Sequence, residues 1–418
     1  GVPSNDIYGD DPTKAVIPEW LNTEQTIPSA DVDWVDEILQ TAAIQSYNLS
    51  LSKGDAKGQH MFSIGYFNQE GLIKYTGFER YSARFNSSYN IGDFLTIGEN
   101  FTANYKEQVS VGTNSALGSI ILTAMQFPSI VPVKDINGSY AGNPINDSNN
   151  PMGQLYRNKD NKQKRVQALG NLYANLYVKD FTFKTVLGLD YQNYNLRSFS
   201  PTFDEILAIN NTNSLATSNS FNCQFSFSNT LNYKKYFGDH SVDVLLGQEA
   251  IEYHYEDFSA EVSEFLYEDE NFRYLSFGTE NMLNSGGASD WSLNSYFGRL
   301  NYNFDERYLF TATVRRDGSS RFNEDNRWGT FPAFSLGWRL DREDFFNTDG
   351  IVSSLLLRGS WGQTGNQEIS NYATVNSYRS NNANSNYAID GAQESVYTGL
   401  TQSRIANPDL KWETTTQT

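Results

Sequence analysis

The fold is decided by the run Phe181-Thr182-Phe183-Lys184-Thr185-Val186-Leu187-Gly188-Leu189-Asp190-Tyr191. Apart from Thr185, its odd positions are apolar or aromatic, whereas most of its even positions are polar or glycine. Successive side chains of a β-strand point to opposite faces, so the run predicts a strand with one apolar and one mostly polar face. A tilted strand of roughly ten residues crosses a lipid bilayer, and this run has that length.

The same two-residue period recurs along most of the chain. Counting such segments gives roughly thirteen or fourteen strands with the spacing of a barrel wall, which is too many for an ordinary sandwich. The clearest repeats are Tyr47-Leu49-Leu51, Phe62-Ile64-Tyr66, Tyr81-Ala83-Phe85, Leu172-Ala174-Leu176-Val178, Phe221-Cys223-Phe225-Phe227, Tyr308-Phe310-Ala312-Val314 and Phe334-Leu336-Trp338-Leu340.

Aromatic residues near the ends of these segments indicate membrane-interface girdles, where a ring with a polar tip is stable. For any single residue, a cross-strand pair in an ordinary β protein explains the ring nearly as well. The set is Tyr105, Tyr177, Tyr191, Tyr233, Tyr236, Tyr302, Tyr308 and Trp338.

The predicted connections are sorted by length. Short connections are predicted at 90–93, 179–180, 237–239 and 305–307, and long polar connections at 107–164, 192–218, 257–290 and 316–329. Outer-membrane barrels show this asymmetry, with short periplasmic turns and long extracellular loops. The sequence therefore predicts an all-β fold, a partial transmembrane antiparallel β-barrel.

Composition agrees with a β-rich, folded chain of 418 residues with 14% aromatic and 19% charged residues. No run of some 18 apolar residues occurs, which excludes a helical membrane protein, and 117–127 is predicted to be a short helix or buried strand within a loop. The formal net charge of -18 argues against nucleic acid and anionic-membrane partners, and most acidic residues are expected in loops such as 252–270. The lone Cys223 rules out an internal disulfide.

No sequence motif points to chemistry. The three histidines, His60, His240 and His254, have no metal-binding spacing, and no G-x-S-x-G elbow or P-loop occurs. The glycines in Gly362-Gln363-Thr364-Gly365 are interpreted as turn residues because the stretch lacks a phosphate-binding lysine. We assign no catalytic, cofactor-binding, metal-binding or substrate-binding residue, and we expect no cofactor.

Four charged residues, Arg315, Arg316, Asp317 and Arg321, are weighed separately. Such a cluster either locks a loop through bidentate hydrogen bonds or binds an anionic substrate, and we favour the first role. Asp317-Gly318 is interpreted as a turn, and Arg321 as a partner of Asp317 or of a neighbouring loop.

The two ends of the chain differ from its middle. Residues 1–40 lack periodicity and are predicted to be a linker that ends in a helical turn at 34–39. Residues 412–418 form an alternating run without a terminal aromatic residue, so we expect the sequence to be an internal piece of a longer protein.

Six stretches carry a family resemblance: Asp33-Trp34-Val35-Asp36-Glu37-Ile38, Gly65-Tyr66-Phe67-Asn68-Gln69-Glu70-Gly71, the block 315–333, Gly337-Trp338-Arg339, Gly359-Ser360-Trp361-Gly362-Gln363-Thr364-Gly365-Asn366-Gln367, and Asn407-Pro408-Asp409-Leu410-Lys411-Trp412-Glu413. In this order they resemble the SusC-like (SusC/RagA) branch of TonB-dependent outer-membrane transporters.

The resemblance implies a barrel of the TonB-dependent transporter type, with about 22 strands around a plugged lumen. On this basis 1–40 is the linker between plug and barrel, and 41–418 is the N-terminal portion of a barrel that is incomplete at its C-terminus. The family's signature residues here are Arg315, Arg316, Asp317, Gly318, Ser319, Arg321, Phe322, Trp328, Gly329, Pro332, Trp338, Trp361, Gly362, Asn407, Pro408 and Trp412, and we expect them to be structural.

The resemblance also implies a function: import of oligosaccharides or peptides across the outer membrane of a Gram-negative, Bacteroidetes-type cell. Its implied partners are a SusD-like lipoprotein, TonB acting through the missing plug region, and outer-membrane lipid. The alternative is a β-rich surface adhesin or structural outer-membrane protein, which should show repeated modules and unsorted loops. An outer-membrane hydrolase would need a catalytic cluster, and the sequence shows none.

Overall fold

The computed structural model describes residues 17–111, 119–347, 351–380, 385–388 and 396–418. Its helices are α1 Trp34–Ile38, α2 Ile120–Gln126 and α3 Pro151–Asn158, and its 3-10 turns are Glu270–Phe272, Leu275–Phe277, Glu324–Asn326 and Leu340–Arg342. Its strands are β1 Ile44–Asp55, β2 Gly58–Glu70, β3 Gly77–Ile91, β4 Leu95–Val109, β5 Gln163–Val178, β6 Phe181–Ser200, β7 Phe203–Glu205, β8 Ala208–Asn210, β9 Ser214–Phe237, β10 His240–Phe265, β11 Gly278–Phe304, β12 Tyr308–Ser319, β13 Trp328–Arg339, β14 Leu356–Asn366, β15 Ser377–Arg379, β16 Asn386–Ala388, β17 Val396–Thr398, β18 Thr401–Arg404 and β19 Glu413–Gln417.

Thirteen strands form one sheet in the order β1-β2-β3-β4-β5-β6-β9-β10-β11-β12-β13-β14-β19. Every neighbouring pair is antiparallel. The edge strands β1 and β19 do not pair with each other in the described part of the chain, so the sheet is open. The predicted all-β fold, a partial antiparallel barrel, is confirmed. Among the described helices, none is both long and apolar enough to cross a bilayer.

The sheet has one apolar and one polar face, which follows from the alternation in β6. Leu187 stands opposite Leu172 on one side and Phe227 on the other, and all three side chains are exposed. Exposed apolar side chains in the middle of a wall are stable against lipid, so we name this side the outer face. The opposite side, which carries Lys184 and Asp190, is named the lumen face.

Apart from one connection, those at one edge of the sheet are two or three residues long, and those at the other edge are longer. One edge, named the turn edge, carries the connections 56–57, 92–94, 179–180, 238–239 and 305–307. The other edge, named the loop edge, carries 71–76, 110–162, 201–213, 266–277, 320–327 and 367–412. The predicted sorting is confirmed, with 340–355 as an unusually long connection at the turn edge.

Several predicted loops are shorter than the sequence suggested, because the strands continue through polar segments. β9 and β10 pair without interruption from the turn edge to Ser214 and Ser263, so 252–265 is strand rather than acidic loop. Asp317-Gly318 is not a turn: the two residues pair with Gly329 and Trp328, and the connection lies at 320–327. Polar composition predicted loops wrongly here because strands that project beyond a bilayer need no apolar face.

The glycines predicted to be turn residues near 362 are also in a strand. Gly362 pairs with Ala333 and Gln417 within the sheet, and Gly365 pairs with Thr414. A Cβ atom on Gly365 would lie 2.0 Å from the Phe331 ring. Glycine is therefore required here by the close approach of an aromatic ring rather than by a turn.

Aromatic rows run across the outer face near both edges. Toward the loop edge Tyr47, Tyr66, Tyr81 and Tyr105 form a row in which neighbouring ring centroids lie 6.3, 5.1 and 6.4 Å apart. Toward the turn edge the row includes the pairs Phe181–Tyr233 and Tyr308–Trp338. These rows have the placement expected of interfacial girdles.

A compact assembly of loops, named the cap, covers part of the loop edge and consists of residues 18–40, 119–160 and 203–210. Residues 1–16 of the predicted linker lie outside the described residues. In place of an open linker, 18–40 is packed: Ala30 and Val32 donate backbone hydrogen bonds to 129–130, and the Trp34 indole donates to the Pro128 carbonyl at 3.0 Å. The connection of this segment to a plug stays a prediction.

The core of the cap explains this packing. Its buried apolar side chains come from all three helices, from the segments beside them and from the adjoining 71–76 connection. Of the two structures predicted for 117–127, a short helix or a buried strand, the protein has the helix α2. The core residues are Leu21, Ile27, Trp34, Ile38, Ile73, Ile120, Ala124, Phe127, Ile130, Val131, Ala141, Met152 and Leu155.

A charge on the outer face should destabilise the wall. We expect Leu187→Arg to lower the free energy of unfolding of the bilayer-inserted protein by about 2–4 kcal/mol, because Arg at mid-bilayer loses its hydration. Val186→Arg, at the same depth on the lumen face, should cost far less. Urea unfolding in phospholipid vesicles measures both, and equal losses would contradict the assignment of the faces.

Candidate functional site

Arg315 and Asp317 are locked together on the lumen face of β12. The Arg315 Nε atom donates to both carboxylate oxygens of Asp317, at 2.8 and 3.0 Å, and its Nη2 atom donates to Ser295 Oγ at 2.8 Å. Glu249 on β10 lies 3.4 Å from the same guanidinium. Asp317 and Ser295 are buried, so these bonds hold β10, β11 and β12 together rather than presenting a charge to a ligand.

The other two arginines of the predicted cluster point elsewhere. Arg316 lies on the outer face over the Trp328 ring, with 5.3 Å to the ring centroid. Arg321 does not pair with Asp317; it contacts the neighbouring loop through Glu368 at 2.9 Å and lies 5.1 Å over the Trp291 ring. The cluster is therefore divided between two faces and a loop.

Phe322, Phe331 and Trp412 form an aromatic cluster where β13, β14 and the 320–327 loop meet. Trp412 lies 5.3 Å from the Phe322 ring and 5.4 Å from the Phe331 ring, and its indole donates to the Arg327 carbonyl at 2.9 Å. A Cβ on Gly329 would lie 3.0 Å from Trp412.

The remaining signature residues also make contacts within the protein. Ser319 is buried and donates its amide to Arg327, while a Cβ on Gly318 would meet the Trp328 ring at 2.9 Å. The other contacts are Pro332 opposite Val314, Trp338 with Glu343, Trp361 with Phe334, Gly362 against Ala333, Asn407 with Ala373 and Asp409, and Pro408 with Asn326. Their structural role stays a prediction that these contacts favour.

A buried ion pair that the sequence did not reveal lies inside the cap. Glu205 is 2% exposed, and its carboxylate accepts hydrogen bonds from the Arg157 guanidinium at 2.6 Å and from the backbone N–H of Asn150 at 2.7 Å. The Asn150 side chain caps α3 and also donates to the carbonyls of Val133 and Ala141. Burial raises the pKa of Glu205, because Arg157 and Asn150 only partly offset its lost hydration.

The histidines do not converge. His60 lies on β2, His240 donates to or accepts from the Tyr302 hydroxyl at 2.8 Å near the turn edge, and His254 contacts Asp290 at 2.6 Å on β10. Within the described ranges, no group of three or more His, Cys, Asp or Glu side chains is placed to hold a metal ion. Cys223 stands opposite His254 and Tyr191 in the wall.

Two cavities lie toward the loop edge. One, of about 500 Å³, is lined by Tyr253, Trp291, Arg321 and Tyr372 and also by outer-face residues such as Cys223, Phe225 and His254. The Tyr253 and Trp291 rings stack at 5.5 Å. The other, of about 430 Å³, is lined by Gln69, Phe78, Gln108 and Ser110 among others. Ring faces and amide or guanidinium groups are the kinds of group that bind polar solutes without covalent chemistry.

An open antiparallel wall with lipid-facing and lumen-facing sides, sorted connections and a capped loop edge defines part of an outer-membrane-type barrel. Residues 66–418 match the family described as TonB dependent receptor-like, beta-barrel, and the chain belongs to this family.

Individual relatives agree with this assignment. The chain is 30% identical over 391 residues to TonB-dependent receptor P39 of Formosa agariphila, covering 92% of this chain and 36% of that protein. It is 28% identical over 420 residues to TonB-dependent receptor SusC of Bacteroides thetaiotaomicron, covering 93% and 40%. The structure of the RagAB peptide transporter aligns with a TM-score of 0.79 at 27% identity, covering 93% of this chain and 43% of that one.

The chain thus spans about two fifths of the length of the curated relatives that it matches. The resemblance to SusC and RagA stated from the sequence is confirmed, and the alternative of an adhesin is not favoured.

The Arg315–Asp317 pair should be structural. We expect Arg315→Met to lower the free energy of unfolding by about 1–3 kcal/mol, because it leaves the buried Asp317 carboxylate without its donor. Adding Asp317→Asn should recover most of this loss by removing the buried charge. Arg316→Met, on the outer face, is the control with a small effect. Urea unfolding measures all three, and a loss that persists in the double variant would contradict this account.

Glu205 should make the stability of the cap depend on pH. Since its pKa is raised in the folded protein, folded Glu205 holds a proton more tightly than unfolded Glu205. The free energy of opening the cap should therefore fall as pH rises from the ordinary value of 4.5 through the raised pKa. Hydrogen exchange of the Gln154 amide in α3 measures this opening.

The matched variants are Glu205→Gln, which should remove this part of the pH dependence, and Asp204→Asn, which changes an exposed neighbour and should keep it. A Glu205→Gln profile parallel to that of the parent protein would contradict the assignment to Glu205.

Proposed function

We propose that the chain forms part of the wall of an energy-coupled outer-membrane importer that takes up oligosaccharides or peptides with a SusD-like lipoprotein. The observation that carries this proposal is the polar lumen face of the wall. The structure of the RagAB peptide importer aligns with 98% of this chain, which covers 45% of that one. The solved RagAB structure is that of a peptide transporter, which supports the peptide class, whereas the oligosaccharide class rests on the resemblance to the SusC-like branch.

The proposed mechanism involves no covalent step, and the protein is not an enzyme. Solute meets the loop-edge segments first, then contacts polar side chains along the lumen face. TonB acts through a plug region that we expect outside these 418 residues, and its work opens the passage. The wall supplies a rigid scaffold, because its strands are tied by continuous backbone pairing and by bonds such as Arg315–Asp317.

The proposed location is the outer membrane of a Gram-negative cell of Bacteroidetes type. The loop edge faces outward, because long connections of outer-membrane barrels are extracellular. In this orientation the cap lies on the outside, where the lipoprotein would sit. The apolar outer face contacts lipid, and the net charge of -18 opposes a nucleic-acid partner.

Deletion of the gene in its source bacterium tests the proposal. We expect the deletion strain to lose uptake of at least one class among fluorescent oligosaccharides and peptides, and a plasmid copy to restore it. A protonophore should block uptake in the parent strain, because TonB-coupled import requires the proton gradient.

The control is binding of the same solutes to the cell surface. Unchanged uptake combined with loss of surface attachment would contradict import and favour the adhesin alternative. Purification of the tagged receptor should also yield the SusD-like lipoprotein encoded beside it.

A further inference from the structure

Three cations stand side by side on the lumen face near the loop edge. Arg80 on β3 lies directly opposite Lys106 on β4, and Lys106 lies directly opposite Arg165 on β5. Directly opposite residues share a face, with Cβ atoms about 5 Å apart. The flanking Tyr81 and Tyr105 lie on the outer face, which places the three cations, named the basic row, on the lumen side.

The basic row is not neutralised by the protein. Among the described residues, none of the three cations forms a salt bridge, and Lys106 donates a hydrogen bond to the Gln167 side chain at 3.4 Å. The nearby carboxylates belong to the other face: Glu79 accepts from Tyr81, and Glu107 pairs with Lys162. Like charges directly opposite each other destabilise a sheet, so this arrangement has a cost that a bound anion would remove.

Other lumen-facing cations do not show this arrangement. Arg84 stands between Ser63 and Thr102, Lys184 between Asn175 and Thr230, and Arg299 between Leu245 and Thr313. Each of these cations therefore stands opposite uncharged residues. Among the paired strands that the structure describes, three cations stand directly opposite one another on consecutive strands in the basic row alone.

Aromatic rings hold both ends of the row. The Arg80 guanidinium lies 5.4 Å over the Phe67 ring, and the Arg165 guanidinium lies 5.5 Å over the Tyr194 ring. A guanidinium that rests on a ring face keeps its N–H groups free at its edge, in the planar geometry that suits a carboxylate or sulfate. The row is thus arranged before any ligand arrives.

The cavity of about 430 Å³ adjoins the row on the side of the loop edge. Gln69, Phe78 and Gln108 form the next lumen-facing row above it, and the Phe78 ring packs edge-on against Phe67 at 6.0 Å. Amide groups bind sugar hydroxyls, and an exposed ring edge or face packs against a sugar ring. An anionic group on the row would therefore place its neighbouring sugar residue in this cavity.

We propose that Arg80, Lys106 and Arg165 form an anion subsite in the lumen wall, which binds the carboxylate or sulfate groups of a negatively charged oligosaccharide. The proposal rests on the proposed function, because it takes the ligand to be the imported solute. An oligosaccharide is favoured over a peptide because the adjoining cavity offers side-chain amides and a ring, with no free strand edge for a peptide backbone.

Binding to the full-length receptor in lipid nanodiscs tests the subsite. The probes are a galacturonic acid tetrasaccharide, a sulfated carrageenan tetrasaccharide, neutral maltotetraose and tetraglutamate, each titrated calorimetrically at low and high salt. We expect at least one anionic tetrasaccharide to bind at least tenfold more tightly than maltotetraose at low salt, and the two anionic probes distinguish carboxylate from sulfate.

The variant R80Q/K106Q/R165Q should lose at least tenfold in affinity for that probe. The control R84Q/K184Q/R299Q removes the same charge from the same face and should stay within twofold of the parent receptor. The variant R80K/R165K keeps the charge without the planar fork, so its affinity should lie between them. This variant also serves as a folded comparison for the row variant. Heat-modifiable migration on gels verifies that each variant is folded.

Any of the following binding results would overturn the subsite: no preference for either anionic sugar over maltotetraose, equal losses in the row and control variants, or tighter binding of tetraglutamate than of both sugars. Unchanged binding in the row variant with a shifted unfolding temperature would assign the row to a contact within the receptor. Uptake separates the two proposals, because import of neutral sugar without any anion preference overturns the subsite alone, whereas binding without import overturns the importer.

Discussion

Backbone pairing is the constraint on which the rest of this structure depends. Hydrocarbon offers no partner for a free N–H or C=O group, so a wall that crosses a bilayer must pair its strands continuously. β9 and β10 satisfy this from His240 to Ser263 without a shift in register. Once that register is set, each side chain is assigned to lipid or lumen, and a slip of one residue would reverse every assignment.

This division into two faces explains features that composition hides. Leu187, Leu172 and Phe227 meet on the outer face, while the polar residues between them on each strand face the lumen, so the mean hydropathy of -0.55 describes neither environment. The same division separates Arg315 from Arg316, which are neighbours in sequence. One is bound to buried Asp317 in the lumen, and the other rests on Trp328 outside.

The loop edge is stabilised differently, because its segments lie in water and can bury a conventional core. Trp34, Ile120 and Leu155 come from three separate helices and pack together in the cap, where Glu205 reaches Arg157 and Asn150. A packed loop edge fixes the positions of the wall residues that lie next to it. The cavity of about 430 Å³ that is lined by Phe78 lies beneath this edge. Its lining includes Ser110, whose backbone carbonyl accepts a hydrogen bond from the Asn158 side chain of α3.

The sequence by itself determined the period of two, the strand positions, the sorting of short and long connections and the family, since these are local patterns or ordered motifs. It misplaced the strand ends near Asp317 and Gly362, because polar and glycine-rich stretches predict turns unless the distant ring or partner strand is known. Only the tertiary structure decided which residues meet across strands. Arg80 and Lys106 lie on strands joined by the short 92–94 turn, which sets their register locally. The Glu205–Arg157 pair and the alignment of Lys106 with Arg165 join segments that long connections separate, and no local pattern encodes those contacts.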